Sequence, residues 1–299
     1  METRTKMNSL YPNVPLERRT VDGVEIAFRQ MGAGAPLLLV HGFPQTHAIW
    51  HRVAPRLAER FRLVMPDLRG YGDSAKPPTA NDHAPYSKRA MAADLAGLMR
   101  ALGHDRYSVC GHDRGGRVSH RLALDYSDCV ARLMVLDISP TLTMYERTTM
   151  DFARAYYHWF FLIQPAPLPE RLIAAEPLFY LHAKLGGWGS GGTGLFDPRA
   201  LAEYERCFTP AAIHAMCEDY RASASIDLEH DRADKDRRIE CPLHVLWGER
   251  GVVQRLFAPL ADWNAKARGP VTGRTTPGGH FIPEESPELL GDEMLAFFG

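Results

Sequence analysis

The chain has 299 residues, and its 35 lysines and arginines against 36 aspartates and glutamates give a formal net charge of −1 at pH 7. This balance argues against a basic nucleic-acid-binding face and against an acidic tail, while 45% apolar and 24% charged residues predict a globular fold. No apolar run approaches the roughly 18 residues of a membrane span, which excludes a transmembrane protein. We therefore expect neither nucleic acid nor membrane as a partner.

The N-terminal stretch Met1 to Pro15 mixes charged residues with prolines and contains no apolar core of a secretory signal. We therefore expect a cytoplasmic location. The five cysteines are scattered and include no C-x-x-C pair, which fits neither a disulfide framework nor a zinc site. We expect no bound metal.

Predicted strands and helices alternate along the first half of the chain. The strands are short and apolar, and the segments between them carry apolar residues at three- and four-residue spacing. The predicted strands are Val24 to Arg29, Pro36 to Val40, Arg62 to Pro66, Tyr107 to Gly111 and Ala131 to Leu136. The predicted helices are His47 to Arg60, Ser87 to Leu102 and Gly115 to Tyr126. This order predicts an α/β fold with a mostly parallel sheet flanked by helices.

The alternation is interrupted from Thr141 to Asp236, where only helical patterns occur. It then resumes with a strand over Pro242 to Trp247, a helix over Val253 to Lys266, a possible strand over Val271 to Arg274 and a last helix capped by Ser286. We interpret residues 141–236 as a helical cap domain inserted into a core formed by residues 1–140 and 237–299.

The pentapeptide Gly111-His112-Asp113-Arg114-Gly115 lies between a predicted strand and a predicted helix, as a nucleophile elbow requires. Its two glycines permit the sharp turn, and Asp113 occupies the position of the nucleophile. A carboxylate nucleophile attacks a saturated carbon and forms an ester, which water must then cleave.

A histidine base and an acid that orients it complete the predicted triad. His280 follows the last predicted strand in a glycine-rich loop, and the chain order of nucleophile, acid and histidine matches that of α/β-hydrolases. Two residues compete as the acid: Glu249, in the turn after a strand, and Asp137, at the carboxyl end of a strand. We favour Asp137, because ligands of open α/β sheets gather at that edge.

The turn His41-Gly42-Phe43-Pro44 follows a predicted strand directly. It is typical of an oxyanion hole, in which the backbone N–H of Phe43 joins that of Arg114, the residue after the nucleophile. These donors would stabilise the tetrahedral species that forms when water attacks the ester.

Three motifs identify a family resemblance: Asp113-Arg114-Gly115-Gly116-Arg117, Tyr157-His158-Trp159-Phe160 and Asp219-Tyr220-Arg221. With the predicted triad, they resemble the Asp-nucleophile branch of the α/β-hydrolase superfamily, which includes haloalkane dehalogenases, haloacetate dehalogenases and epoxide hydrolases. The resemblance spans nearly the whole chain and is greatest to the fluoroacetate (haloacetate) dehalogenases.

The resemblance implies a role for each motif. Arg114 and Arg117 match the arginines that hold the haloacetate carboxylate, and their three-residue spacing lets both face one cavity from the start of a helix. His158, Trp159 and Tyr220 match the halide-binding trio, whose imidazole, indole and phenol groups are all hydrogen-bond donors. Trp188 lies in the glycine run Gly186 to Gly194. Its position is equally compatible with lining the entrance to the site and with a packing role.

The expected function is hydrolytic dehalogenation of haloacetates, such as fluoroacetate to glycolate and fluoride, through a covalent ester on Asp113. This chemistry needs no cofactor, its partner is a small haloacid, and the resemblance implies a homodimer. One alternative is an epoxide hydrolase for an acidic epoxide, with Tyr156 or Tyr157 and Tyr220 as acids. A more distant alternative is a non-catalytic binding protein of the same fold. The sequence does not fix which halide is preferred.

Overall fold

A computed structural model of the protein describes residues 10–299, and within them eight strands form one sheet. The strands are β1 Glu17–Val21, β2 Val24–Met31, β3 Ala35–Val40, β4 Phe61–Pro66, β5 Tyr107–His112, β6 Val130–Leu136, β7 Leu243–Gly248 and β8 Val271–Thr276. Their spatial order is β1-β2-β4-β3-β5-β6-β7-β8. From β4 to β8 in this order, each strand pairs in parallel with the next. Strand β2 pairs antiparallel with both of its neighbours, β1 and β4. The predicted sheet is confirmed.

Helices cover both faces of the sheet and fill the chain between β6 and β7. They are α1 Ala54–Leu57, α2 Lys88–Ala101, α3 Arg114–Asp125, α4 Thr141–Glu146, α5 Met150–Ala155, α6 Tyr157–Phe161, α7 Leu168–Ala175, α8 Pro177–Leu185, α9 Pro198–Cys207, α10 Pro210–Ala224, α11 Ile226–Ala233, α12 Val252–Leu256, α13 Pro259–Asn264, α14 Ile282–Glu285 and α15 Pro287–Phe298. Short 3-10 helices lie at His47–Trp50, Ala84–Tyr86 and Thr193–Leu195. The division into core and cap domains stays a prediction.

Alternate residues of each strand point to opposite faces, so the sheet separates two apolar clusters. Leu38 and Val40 pack with α2 and α3, and their cluster extends into the helices between β6 and β7. Leu37 and Leu39 pack with α1 and α15 on the other face. A central sheet covered in this way holds the carboxyl ends of its parallel strands rigidly at one edge.

Two predicted helices are wrong in extent, and in each case a proline explains the break. The segment from His47 to Arg60 forms a 3-10 turn and the separate helix α1, with Pro55 in the first turn of α1. The segment from Val253 to Lys266 divides into α12 and α13, and Pro259 begins α13. Proline lacks a backbone N–H and therefore begins helices more readily than it continues them.

Two further sequence expectations need correction or restriction. The Ser286 side chain does not cap α15: its hydroxyl donates to the carbonyl of Pro277, while Pro287 begins the helix as predicted. Strand β1 was not predicted, because it is a largely exposed edge strand without an apolar pattern.

The prediction about a signal in Met1 to Pro15 falls largely on residues 1–9, outside the described residues. Among residues 10–299, no helix is long and apolar enough to cross a bilayer.

We predict that Gly115→Ala destabilises the protein. A Cβ atom at this position would lie 2.2 Å from the carbonyl oxygen of His41 and 2.4 Å from that of Val40, so main chain would have to move. The free energy of unfolding should fall by roughly 1–3 kcal/mol, although alanine is the better helix former. Chemical denaturation measures this change. Gly269→Ala is the control, because nothing lies within 4 Å of its Cβ position, and equal stability of the two variants would contradict the prediction.

Candidate active site

The residues of the predicted triad lie together at the carboxyl edge of the sheet. Asp113 follows β5, Asp137 follows β6, and the loop after β8 carries His280. The turn containing Phe43 follows β3, the neighbour of β5. All four residues are buried. The parallel sheet therefore brings together residues that are far apart in the sequence.

Asp113 lies in a strained turn at the start of α3. Its φ of 48° and ψ of −114° are unfavourable for a residue with a side chain. The backbone N–H of Phe43 donates to Asp113 Oδ1 at 2.8 Å. A Cβ atom on Gly42 would lie 2.5 Å from Cβ of Asp113, so this neighbour must be glycine. The backbone N–H of Phe43 thus contacts the Asp113 carboxylate, and the oxyanion hole formed by the N–H groups of Phe43 and Arg114 stays a prediction.

His280 lies between two carboxylates. Its Nδ1 is 2.6 Å from Asp137 Oδ2, and its Nε2 is 3.9 Å from Asp113 Oδ2. The second oxygen of Asp137 accepts the backbone N–H of Gly248 at 3.0 Å, which fixes the carboxylate. The alternative acid Glu249 is exposed. Of the two candidates that the sequence left in competition, the structure therefore places Asp137 on the histidine.

These contacts shift the pKa values of His280 and Asp113 in opposite directions. Burial alone would lower the pKa of His280, but its hydrogen bond to Asp137 and the charges of Asp137 and Asp113 outweigh burial and raise this pKa. Burial alone would raise the pKa of Asp113, but the charges of His280 and the neighbouring cations outweigh it and lower this pKa. Asp113 is therefore ionised, as a nucleophile must be.

His112, the residue before Asp113, holds the main chain of His280. Its Nε2 lies 2.8 Å from the carbonyl oxygen of His280. Burial, with a smaller effect from the charge of His280, lowers the pKa of His112 to about 3. The ring is therefore neutral, and the carbonyl acceptor requires the proton on Nε2. The sequence analysis assigned no role to this residue.

Arg114 is fully buried and bound to a carboxylate that the sequence analysis left without a role. Its Nε donates to Asp219 Oδ2 at 2.9 Å, and its Nη2 donates to Asp219 Oδ1 at 2.6 Å. Lys88 Nζ and the hydroxyl of Tyr71 also donate to Asp219. Burial alone would raise the pKa of Asp219, but Arg114 and Lys88 hold it well below its ordinary value. Within residues 10–299, Arg114 Nη1 has no hydrogen-bond partner.

Arg117 is buried without a carboxylate partner among the described residues. Its Nη1 donates to the carbonyl of Ser139 at 3.1 Å and to the hydroxyl of Thr141 at 2.9 Å, while its Nη2 contacts the sulfur of Met144. Its Nε has no partner in the described part of the chain. Burial lowers the pKa of Arg117, an effect that the charge of Asp113 only partly offsets.

The three predicted halide donors lie beside these arginines, and all are buried. The Arg114 guanidinium is 4.2 Å from the ring centroid of Tyr220, and that of Arg117 is 4.6 Å from the ring of Trp159. The ring of His158 packs on Tyr220 with centroids 5.5 Å apart.

Each member of the trio has a buried polar atom without a hydrogen-bond partner in the described structure: Nδ1 of His158, Nε1 of Trp159 and the hydroxyl of Tyr220. Burial, reinforced by the charge of Lys184, lowers the pKa of His158 well below its ordinary value, so its ring is neutral. A cluster of unpaired buried polar atoms is costly unless a ligand satisfies them. The arrangement is therefore suited to a small polar or anionic ligand.

Three further aromatic residues of the segment were candidates in the sequence analysis. Tyr156 is buried, whereas Tyr157 is 45% exposed and lies against the ammonium of Lys184. The ring of Trp188 packs on His158 and His280, with centroids 4.7 and 5.2 Å away. Trp188 therefore lies over the triad, and Tyr157 is the weaker of the two tyrosines as an acid.

One group of potential metal ligands occurs in the described residues, formed by Asp73, Glu203 and Cys207. Arg206 forms ion pairs with both carboxylates of this group. Arg206 therefore partly neutralises this group, which contains none of the predicted site residues.

Comparison with known proteins identifies the family of the chain. Residues 35–189 match the alpha/beta hydrolase fold family. A fluoroacetate dehalogenase of Burkholderia sp is 48% identical over 91% of this chain and 90% of the relative. A soluble epoxide hydrolase of Corynebacterium sp. (strain C12) is 33% identical over 93% of this chain and 95% of the relative.

A solved structure gives the same result for the fold. A protein of Nostoc sp PCC 7120 described as an alpha/beta hydrolase has a TM-score of 0.94 and 51% identity, over 96% of this chain and 98% of the other. The relatives include both a dehalogenase and an epoxide hydrolase, so the choice between these two reactions rests on the residues of the site.

We predict that Asp137→Asn lowers the pKa of His280, because the charge and the hydrogen bond that raise it are weakened. Titration of the His280 ring protons by NMR measures this shift. The rate of any reaction step that uses His280 as a base should fall by roughly two orders of magnitude. Glu249→Gln, at the exposed competing position, is the matched control. An unchanged pKa in Asp137→Asn would contradict the assignment of the acid.

Proposed function

The chain belongs to the α/β-hydrolase family, and from this premise we propose that it hydrolyses haloacetates, converting fluoroacetate and water into glycolate, fluoride and a proton. The observation that carries the proposal is Arg117, a buried guanidinium without a carboxylate partner in the described chain, close to a carboxylate nucleophile. A buried cation is costly when unpaired. A substrate carboxylate supplies the missing charge.

The substrate carboxylate binds between the two arginines. Asp219 occupies Nε and Nη2 of Arg114, which leaves Nη1 for a ligand, and Arg117 has its Nε free. Charge-assisted hydrogen bonds to a carboxylate would satisfy both nitrogen atoms. A neutral haloalkane or a simple epoxide would leave them unpaired, so the site favours an acid.

In the first step, Asp113 displaces the halide. The N–H of Phe43 holds Oδ1, so Oδ2 attacks the α-carbon of the substrate. A carbon–oxygen bond forms as the carbon–halogen bond breaks, and the electron pair of that bond leaves with the halide. The free donors of His158, Trp159 and Tyr220 bind the departing anion, and their interaction grows as negative charge develops on it.

In the second step, His280 activates water to cleave the ester. Its Nε2 takes a proton from water while the water oxygen attacks the carboxyl carbon of Asp113. Asp137 stabilises the imidazolium, and the N–H of Phe43 stabilises the oxyanion. The bond from Asp113 to the glycolate oxygen then breaks, and that oxygen takes the proton from His280. Asp113 is left as a carboxylic acid and releases its proton to water, which restores the carboxylate.

The second candidate function is hydrolysis of an epoxide that carries a carboxylate. It is favoured by the buried Tyr156 and by the free hydroxyl of Tyr220, which would protonate the opening ring, and by the similarity to an epoxide hydrolase. The donors of His158 and Trp159 have no role in that reaction, so we rank it second. The homodimer and the cytoplasmic location stay predictions.

The test is product release by the purified wild type and by Asp113→Ala. We expect halide from fluoroacetate, chloroacetate or bromoacetate, measured with ion-selective electrodes, and none from the variant. Arg117→Met should lower kcat/KM for the haloacetates by roughly two to three orders of magnitude, because it removes one side of a buried charge pair. Arg171→Met, an exposed arginine of α7, is the control and should match the wild type.

Three results would contradict the proposal. Diol from a carboxylated epoxide without any halide release would assign the chain to the epoxide hydrolases. Haloacetate turnover that Arg117→Met leaves unchanged would show that Arg117 does not bind the substrate carboxylate. Ligand binding without turnover, equal in the wild type and Asp113→Asn, would indicate a binding protein.

A further inference from the structure

The loop that carries His280 is held by a carboxylate that contacts none of the proposed substrate-binding groups. Glu285 Oε2 accepts the backbone N–H of Gly279 at 2.6 Å, and Oε1 accepts the backbone N–H of Phe281 at 2.9 Å. One side chain therefore binds the backbone N–H groups of the residues before and after His280. The Glu285 side chain is only 6% exposed, so water does not compete freely for these contacts.

The remaining contacts of the loop leave it little room to move. The carbonyl of His280 is bound by His112 Nε2. A Cβ atom on Gly248 would lie 1.9 Å from the carbonyl oxygen of Gly279, and one on Gly278 would lie 2.7 Å from Oε2 of Glu285. Gly278 also has a φ of +111°, which favours glycine. The loop fits closely between β7 and the Glu285 side chain.

The direction of the His280 ring depends on this main chain. Its Nδ1 must reach Asp137 while its Nε2 faces Asp113 at 3.9 Å, and a rotation of either flanking peptide group would disturb both distances. Hydrogen bonds to a carboxylate are stronger than bonds between neutral groups. Two of them, on the residues before and after His280, restrain the main chain on either side of the base.

We propose that Glu285 is a positioning residue for His280 that serves ester hydrolysis and not halide displacement. This inference rests on the proposed function. Halide displacement uses Asp113, the two arginines and the halide donors, none of which forms a hydrogen bond or ion pair with Glu285. Hydrolysis uses His280, whose loop Glu285 holds. Weakening the Glu285 contacts should therefore slow one chemical step selectively.

The experiment compares Glu285→Gln and Glu285→Ala with the wild type in rapid-quench reactions with fluoroacetate. Fluoride release in the first turnover measures displacement, and the mass of the intact protein measures the ester and its decay. We expect hydrolysis to slow by roughly tenfold in the glutamine variant, which keeps one acceptor, and by roughly a hundredfold in the alanine variant. Displacement should stay within about twofold of the wild type, so the ester should accumulate.

Two controls separate positioning from a loss of structure. Glu288→Gln changes an exposed glutamate of α15 and should match the wild type in both steps. His280→Asn marks complete loss of the base and should accumulate the ester fully. An unchanged displacement rate in Glu285→Gln shows that the variant is folded even if Glu285→Ala is unstable.

Two outcomes would overturn the inference alone: an unchanged hydrolysis rate in both Glu285 variants, or an equal slowing of both steps. If no ester forms in any variant, including His280→Asn, the proposed function fails and this inference fails with it. The His280→Asn reaction therefore distinguishes the two failures.

Discussion

The ion pair between Arg114 and Asp219 is the interaction on which the geometry of the site depends. Arg114 follows Asp113 in α3, and Asp219 precedes the predicted halide donor Tyr220 in α10. Lys88 and Tyr71 bind the same carboxylate, so one buried group fixes the helical segment 141–236 against the turn that carries Asp113. Breaking such a pair by removing one partner costs roughly 3–5 kcal/mol, because it leaves a buried charge. The site therefore depends on the complete set of charges.

The two arginines differ in what they leave available to a ligand. Asp219 neutralises Arg114 and orients it, whereas Arg117 is held by a carbonyl, a hydroxyl and a sulfur that carry no opposing charge. In the proposed reaction, the two arginines bind the substrate carboxylate, and the unpaired polar atoms of His158, Trp159 and Tyr220 bind the halide as it forms. Asp137 and Asp113 together raise the pKa of His280, and in the proposed mechanism the ester removes the charge of Asp113 and with it part of this effect.

Much of this site is visible in the sequence, because the signals lie at strand ends. Asp113 between two glycines and Asp137 after a buried strand are local patterns, and the parallel sheet aligns them. Asp219 was quoted in a motif, but its partners Lys88 and Tyr71 lie far away in the chain and no periodicity connects them. The Glu285 contacts were missed because they bind main chain, which leaves no pairing pattern. Pro55 and Pro259 did carry the signal that divides two predicted helices, whereas the exposed strand β1 carried none.

The proposed reaction passes through a covalent ester on Asp113, so the most direct measurement is the mass of His280→Asn after incubation with fluoroacetate, followed by peptide mapping. Without its base the variant should complete halide displacement and stop. We expect one molar equivalent of fluoride and a mass increase of one carboxymethyl group, located on the peptide that contains Asp113 and absent in the Asp113→Ala double variant. Release of fluoride over many turnovers without any adduct, or an adduct at another residue, would contradict it.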